Sequence, residues 1–177
     1  MASTSSFCLL VAFLLHLAVN LHTCRADIEF LMSTCDQTRN PSYCLSTMQT
    51  DNRSVAAKST AELLAIAVDI AYGRMDQEEL YLSSLARKHA GTPIGRALGT
   101  CVVAYRDSRD KLREALGYIA SGNFISAYDD IKASGDAPGR CDEALGWFKF
   151  QPAAETNSSA RDLLGMVLDI AELMNGP

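Results

Sequence analysis

From Thr92 to Ser121 the apolar residues Leu98, Cys101, Val102, Tyr105, Leu112, Leu116 and Ile119 recur at helical spacing. Arg106, Asp107, Arg109, Asp110, Arg113 and Glu114 fall mostly on the opposite side. Thr92-Pro93 supplies a hydroxyl cap and a proline for the first helical position, and Ser121-Gly122-Asn123 suits a left-handed stop. A helix of about thirty residues is roughly 45 Å long. A stripe of that length cannot be buried alone, so the chain must supply partner helices of similar length.

Residues 1–26 are expected to lie outside that fold. Residues 7–19 are almost wholly apolar, and Cys24-Arg25-Ala26 ends in the small-residue pattern of a secretory leader cut before Asp27. An apolar run of about 13 residues is short of the roughly 20 that span a bilayer. Residues 27–177 are then one domain, large enough for its own core. Without Arg25 the 16 basic residues of the full chain become 15, against 21 acidic. That balance leaves no basic surface for nucleic acid and no strong pull toward anionic membranes.

Removal of the leader takes Cys8 and Cys24 and leaves Cys35, Cys44, Cys101 and Cys141. An even set in a secreted chain points to two disulfides, with three pairings open. Asn40-Pro41, between Cys35 and Cys44, is a turn able to fold two short helices together. We favour the local pairing, Cys35 with Cys44 and Cys101 with Cys141. A metal site is disfavoured, because there is no CxxC pair and the only mature histidine, His89, is distant in sequence.

In chain order, residues 27–34 and 42–48 read as a small helical hairpin. Residues 59–89 form a long helical pattern through Leu63, Leu64, Ile66, Ala67, Ile70, Ala71, Leu80 and Leu85, with a possible kink near Gly73. After Gly122, helix is expected over 124–133, an interruption over 135–139 around Pro138, and helix again near Cys141 carrying Leu145, Trp147 and Phe148 as core residues. Residues 149–156 read as a loop, and a last helix starts at Ser158 or Ser159 with Ala160, Leu163, Leu164, Val167, Leu168, Ala171 and Met174 on one face. No alternating strand pattern occurs. The fold class is all-α: an antiparallel four-helix bundle with an N-terminal helical hairpin and two disulfides. Asn52-Arg53-Ser54 and Asn157-Ser158-Ser159 are glycosylation sequons, both expected on exposed turns.

No reaction centre emerges. Any Ser-His or Cys-His pair would rest on His89, which sits at a helix end where an imidazole ordinarily complements the helix dipole. Glu78-Glu79, Asp129-Asp130 and Asp142-Glu143 are adjacent in sequence and so diverge on a helix. No glycine-rich phosphate cradle is present. The chain is therefore expected to be no enzyme, to need no cofactor and to bind no metal. A secreted, stapled chain of this kind is expected to act by occupying another protein's surface.

Thr34-Cys35, Asn40-Pro41-Ser42-Tyr43-Cys44, Asp51-Asn52-Arg53-Ser54, Leu98-Gly99-Thr100-Cys101 with Tyr105, and Ser134-Gly135-Asp136-Ala137 before Cys141 give the chain a resemblance to the plant invertase/pectin methylesterase inhibitors. The resemblance covers essentially all of residues 27–177. It implies a four-helix bundle with a hairpin extension and the same two local disulfides. It implies an inhibitor that closes the cleft of acid invertase (a β-fructosidase) or of pectin methylesterase in a one-to-one complex. Asp51-Asn52-Arg53-Ser54 and the Ser-Gly-Asp-Ala stretch look closer to the invertase branch. Invertase inhibitors carry a Pro-Lys-Phe motif that inserts toward the sugar site; the matching place here reads Gly122-Asn123-Phe124, where only Phe124 agrees. These three residues are the expected target-binding turn, with Phe124 as apolar anchor. The resemblance also implies an apoplastic or vacuolar location. Two rival roles are a non-inhibitory secreted structural protein and a carrier of small apolar ligands.

Overall fold

The computed structural model describes residues 28–175, so the leader and its cut before Asp27 lie outside the described residues. A short helix, α1 (residues 28–35), leads through Asn40 into α2 (Pro41–Met48), and α3 (Asn52–Ala56) follows. The body is built from α4 (Thr60–Lys88), α5 (Pro93–Ala120), α6 (Phe124–Ser134), α7 (Ala137–Leu145) and α8 (Gln151–Asn175). Among the described residues there is no strand. α5 packs against α4, α6 and α7, and α8 closes against the same three partners from the other side. The third leg of the bundle is α6 and α7 end to end.

The long helices begin where their caps place them. The Ser59 hydroxyl accepts from the Glu62 N–H at the start of α4, and the Thr92 hydroxyl accepts from the Gly95 N–H at the start of α5, with Pro93 in its first turn. Leu98, Cys101, Tyr105 and Leu112 are fully buried and face Leu63, Leu64, Val68, Met75 and Leu82 of α4 and Ile131, Val167 and Ile170 beyond. Each such side chain contributes about 1.5–3 kcal/mol. Cys101–Cys141 ties α5 to α7 across 40 positions, and Cys35–Cys44 closes the α1–α2 hairpin across nine. The hairpin is held to α8 by Arg39, whose backbone N–H and Nε both donate to Asp169, at 2.9 and 2.6 Å.

Several expectations are corrected. α4 runs without interruption through Gly73, where a single glycine costs a helix about 1 kcal/mol and packing on both sides of it outweighs that. Leu80 is turned outward at 64% exposure, while Met75 and Leu82 take the inward positions. The break between α6 and α7 is confined to Gly135 and Asp136, because Pro138 sits in the first turn of α7, where a missing N–H costs nothing. Pro152 likewise falls in the first turn of α8, so that helix begins at Gln151 rather than at Ser158 or Ser159. In consequence Asn157 is not on a turn. It is wholly buried, accepting from the Tyr105 hydroxyl at 2.8 Å and donating to Asp142. α7 ends at Leu145, which leaves Trp147 outside the core at 97% exposure and Phe148 at 41%.

Candidate functional site

Gly122, Asn123 and Phe124 form the reversal between α5 and α6. The Gly122 N–H donates to Ile119 O at 3.0 Å and the Asn123 N–H to Tyr118 O at 2.9 Å. That pair of bonds ends α5 only if the residue between them takes a left-handed conformation, and Gly122 does so at φ 76°. The Asn123 carboxamide oxygen then accepts from the Ser126 N–H at 3.2 Å and starts α6. Its amide nitrogen has no hydrogen-bond partner among the described residues. Ser121, Gly122 and Asn123 are exposed.

Phe124 is only partly exposed and packs against the core. The apolar side chain that projects from this end is Ile125, at 72% exposure, with Tyr118 half-exposed on the last turn of α5. Sequence reasoning passed over Ile125. The signal was available, since Ile125 falls off the Ala127, Tyr128 and Ile131 stripe and so had to face outward.

Several titratable groups elsewhere serve the fold. His89 caps the C-terminus of α4, and its ring meets the edge of Phe150 at 5.5 Å. Glu79 is buried between Arg106 and Arg109, at 2.8 and 2.6 Å. Asp130 is held by Lys111 at 3.0 Å, and Asp142 by Arg161 and Asn157. Burial pushes the Tyr105 phenol well above its ordinary range, as suits a hydroxyl that only donates to Asn157. Among the described residues no group of three or more His, Cys, Asp or Glu is placed to hold a metal, and no helix is long and apolar enough to cross a membrane. Asn52 of the first sequon is exposed at the start of α3, whereas its Ser54 is buried.

The family model for plant invertase/pectin methylesterase inhibitors matches residues 29–170. Among curated proteins the chain is similar to a pectinesterase inhibitor of Actinidia deliciosa, 29% identical and covering 86% of this chain and 83% of that one. It is similar also to pectinesterase inhibitor 2 of Arabidopsis thaliana, 25% identical over 84% of this chain and 86% of the other. Among solved structures, a mutant form of a pectin methylesterase inhibitor from Arabidopsis superposes with a TM-score of 0.68 at 25% identity, covering 80% of this chain and 95% of that chain. A second Arabidopsis pectin methylesterase inhibitor, at 22% identity and a TM-score of 0.61 over 82% of this chain and 96% of that one, shares the fold.

Proposed function

Because this chain belongs to the plant invertase/pectin methylesterase inhibitor family, whose members are inhibitors and not enzymes, we propose that it blocks a pectin methylesterase by covering its active-site cleft. The observation that carries this choice of target is the likeness to curated proteins named as pectinesterase inhibitors, sustained over more than four-fifths of both chains. The turn at Gly122-Asn123-Phe124 supports it from the other side, since it lacks the lysine of the invertase-type motif.

The two stretches that lean toward the invertase branch serve the scaffold. Asp51 caps α3 and binds Arg53, which also reaches Asp69 on α4 at 2.6 Å. Ser134 is buried with its hydroxyl on Ile131 O. Both are explained by folding, so neither speaks for a sugar-cleaving target.

In the complex the α5–α6 end of the bundle closes the cleft with Ile125 and Tyr118 as apolar contacts. Phe124 stiffens the turn from behind, and the Asn123 amide donates into the cleft. An interface of about 1,600 Å² suits a one-to-one inhibitor. The chain works outside the cell after losing residues 1–26, and glycosylation, where it occurs, is at Asn52.

Purified chain assayed separately against pectin methylesterase and acid invertase tests the reading. Inhibition of the esterase alone is expected; inhibition of invertase alone reverses the choice of target, and inhibition of neither removes the inhibitory role. Ile125→Asp is expected to weaken inhibition tenfold or more, about 1.4 kcal/mol at a central apolar contact. Phe124→Ala is expected to weaken it less. An unchanged inhibition constant in both variants puts the contact elsewhere on the bundle.

A further inference from the structure

Of the 15 arginines and lysines among the described residues, nine hold a carboxylate within 4.0 Å. Lys58 apart, the cations that form no ion pair are Arg87, Lys88, Arg96, Lys149 and Lys132. The first four share one end of the bundle. Arg87 and Lys88 are in the last turn of α4, and Arg96 is in the first turn of α5. Lys149 precedes Phe150, whose ring lies against His89 at the same end. All four are exposed. The acids nearest in the chain are Asp142, already neutralised by Arg161, and Glu143 and Glu155, which hold no cation.

On a chain whose formal net charge is −5, this segregation leaves a local excess of positive charge. Two aromatic side chains stand beside it, Trp147 at 97% exposure and Phe148 at 41%. Lys149 itself is held at φ 44°, the left-handed region that a lysine occupies only at a cost. The helix reversal at the opposite end of α5 uses a glycine for the same conformation. Arg87 and Lys88 complement the C-terminus of α4, and Arg87 also donates to the Ser83 hydroxyl at 3.1 Å, but the fully exposed indole, the strained lysine between two phenylalanines and four cations without a carboxylate go beyond what the fold requires.

We infer that this end of the bundle is a second binding site, for an anionic polysaccharide built of uronate rings. The flat apolar face of Trp147 matches the C–H face of a pyranose, and the guanidinium and ammonium groups match carboxylates repeating along the chain. The choice of a polyuronate over other polyanions rests on the reading of pectin methylesterase as target, because removing methyl esters from pectin exposes those carboxylates. α5 is about 42 Å long, so the site is remote from the Gly122 turn and leaves that end free for the enzyme. The inhibitor would thereby be retained on the polymer whose charge its target creates.

The binding assay contains no enzyme, so its failure is separable from failure of the inhibitory reading. Full-length mature chain is titrated with polygalacturonate, with fully methyl-esterified homogalacturonan, and with vesicles of phosphatidylserine and phosphatidylcholine. Binding to polygalacturonate alone is expected, lost at about 1 M salt where charges are screened over about 3 Å. Lys88→Glu with Lys149→Glu is expected to weaken it tenfold or more, and Trp147→Ala several-fold, while inhibition of the esterase stays as in the unaltered chain. Equal binding to the esterified polymer, binding that neither salt nor these variants change, or binding to vesicles in place of polygalacturonate overturns the proposal.

Discussion

At the α5–α6 reversal the residue with positive φ is Gly122, at 76°, whereas at the α7–α8 reversal it is Lys149, at 44°. The first turn is relaxed: a glycine takes the conformation that excludes other residues, and Asn123 caps the next helix. Its ring, Phe124, is folded toward the core, and only Ile125 and Tyr118 look out. The second turn is held under strain, with Trp147 almost wholly exposed and only Phe150 turned in, against His89. Under the proposed function the Gly122 end meets the enzyme cleft, where a relaxed, capped turn would lower the ordering cost of binding, and the end rich in unpaired cations is the proposed polyuronate site.

The contrast can be broken most severely at the covalent tie. Cys101–Cys141 fixes α7 to α5 near the strained turn, and the α5–α6 reversal lies inside the loop that this bond closes, at the far end of the bundle from it. Replacing both cysteines by serine is expected to cost about 3.9 kcal/mol on the loop-entropy model, read as a shift of the denaturation midpoint. Hydrogen exchange should rise first in α7 and residues 146–150, with the Gly122 turn following later. Uniform loss of protection along α5 and α6 would show that the ends are not independent.

A smaller effect comes from exchanging the backbone demands of the two turns. A methyl group at Gly122 meets open space, so Gly122→Ala tests the conformation alone and should destabilise by about 1 kcal/mol. Lys149→Gly should do the reverse, raising the melting temperature by the equivalent of about 0.5–1 kcal/mol while weakening polygalacturonate binding. A loss of stability in Lys149→Gly contradicts the strain assigned to that turn.

The smallest effect lies between the ends, where Glu78 and Glu79 follow each other on α4. Glu79 has two arginines, whereas Glu78 has only Arg74, at 3.9 Å, and burial raises its carboxyl above the ordinary glutamate range. An acid raised on folding favours the native state below its unfolded value and loses that contribution as pH rises through the folded one. Glu78→Gln should therefore melt higher than the unaltered chain at neutral pH. The difference should vanish as pH falls to about 4. A constant difference across that range dissociates Glu78 from the pH dependence of stability.

Caps and stripes carry local information, so α4 and α5 were legible from residues alone, whereas cysteine spacing favoured the observed disulfides and left three pairings open. Ser59, Thr92-Pro93 and Gly122 act within a turn of themselves, and their effect does not depend on what packs nearby. Where a proline, a glycine or an aromatic residue had two local meanings, only packing decided between them. Pro152 serves equally to stop a helix or to open one. α8 begins there because the added turns place Asn157 against Tyr105 and Asp142. That placement buries a sequon asparagine which in isolation reads as exposed. Trp147 reads as core by its chemistry, yet α7 ends two residues before it and leaves no wall for it to face. The candidate turn was identified at residues 122–124, but which side chain leaves it, Ile125 and not Phe124, follows from the phase of α6 against the bundle. Charge shows the same division: the total of −5 is written in the composition. The gathering of unpaired cations at one end depends on which arginines and lysines found a carboxylate, and that is a property of three-dimensional neighbours alone.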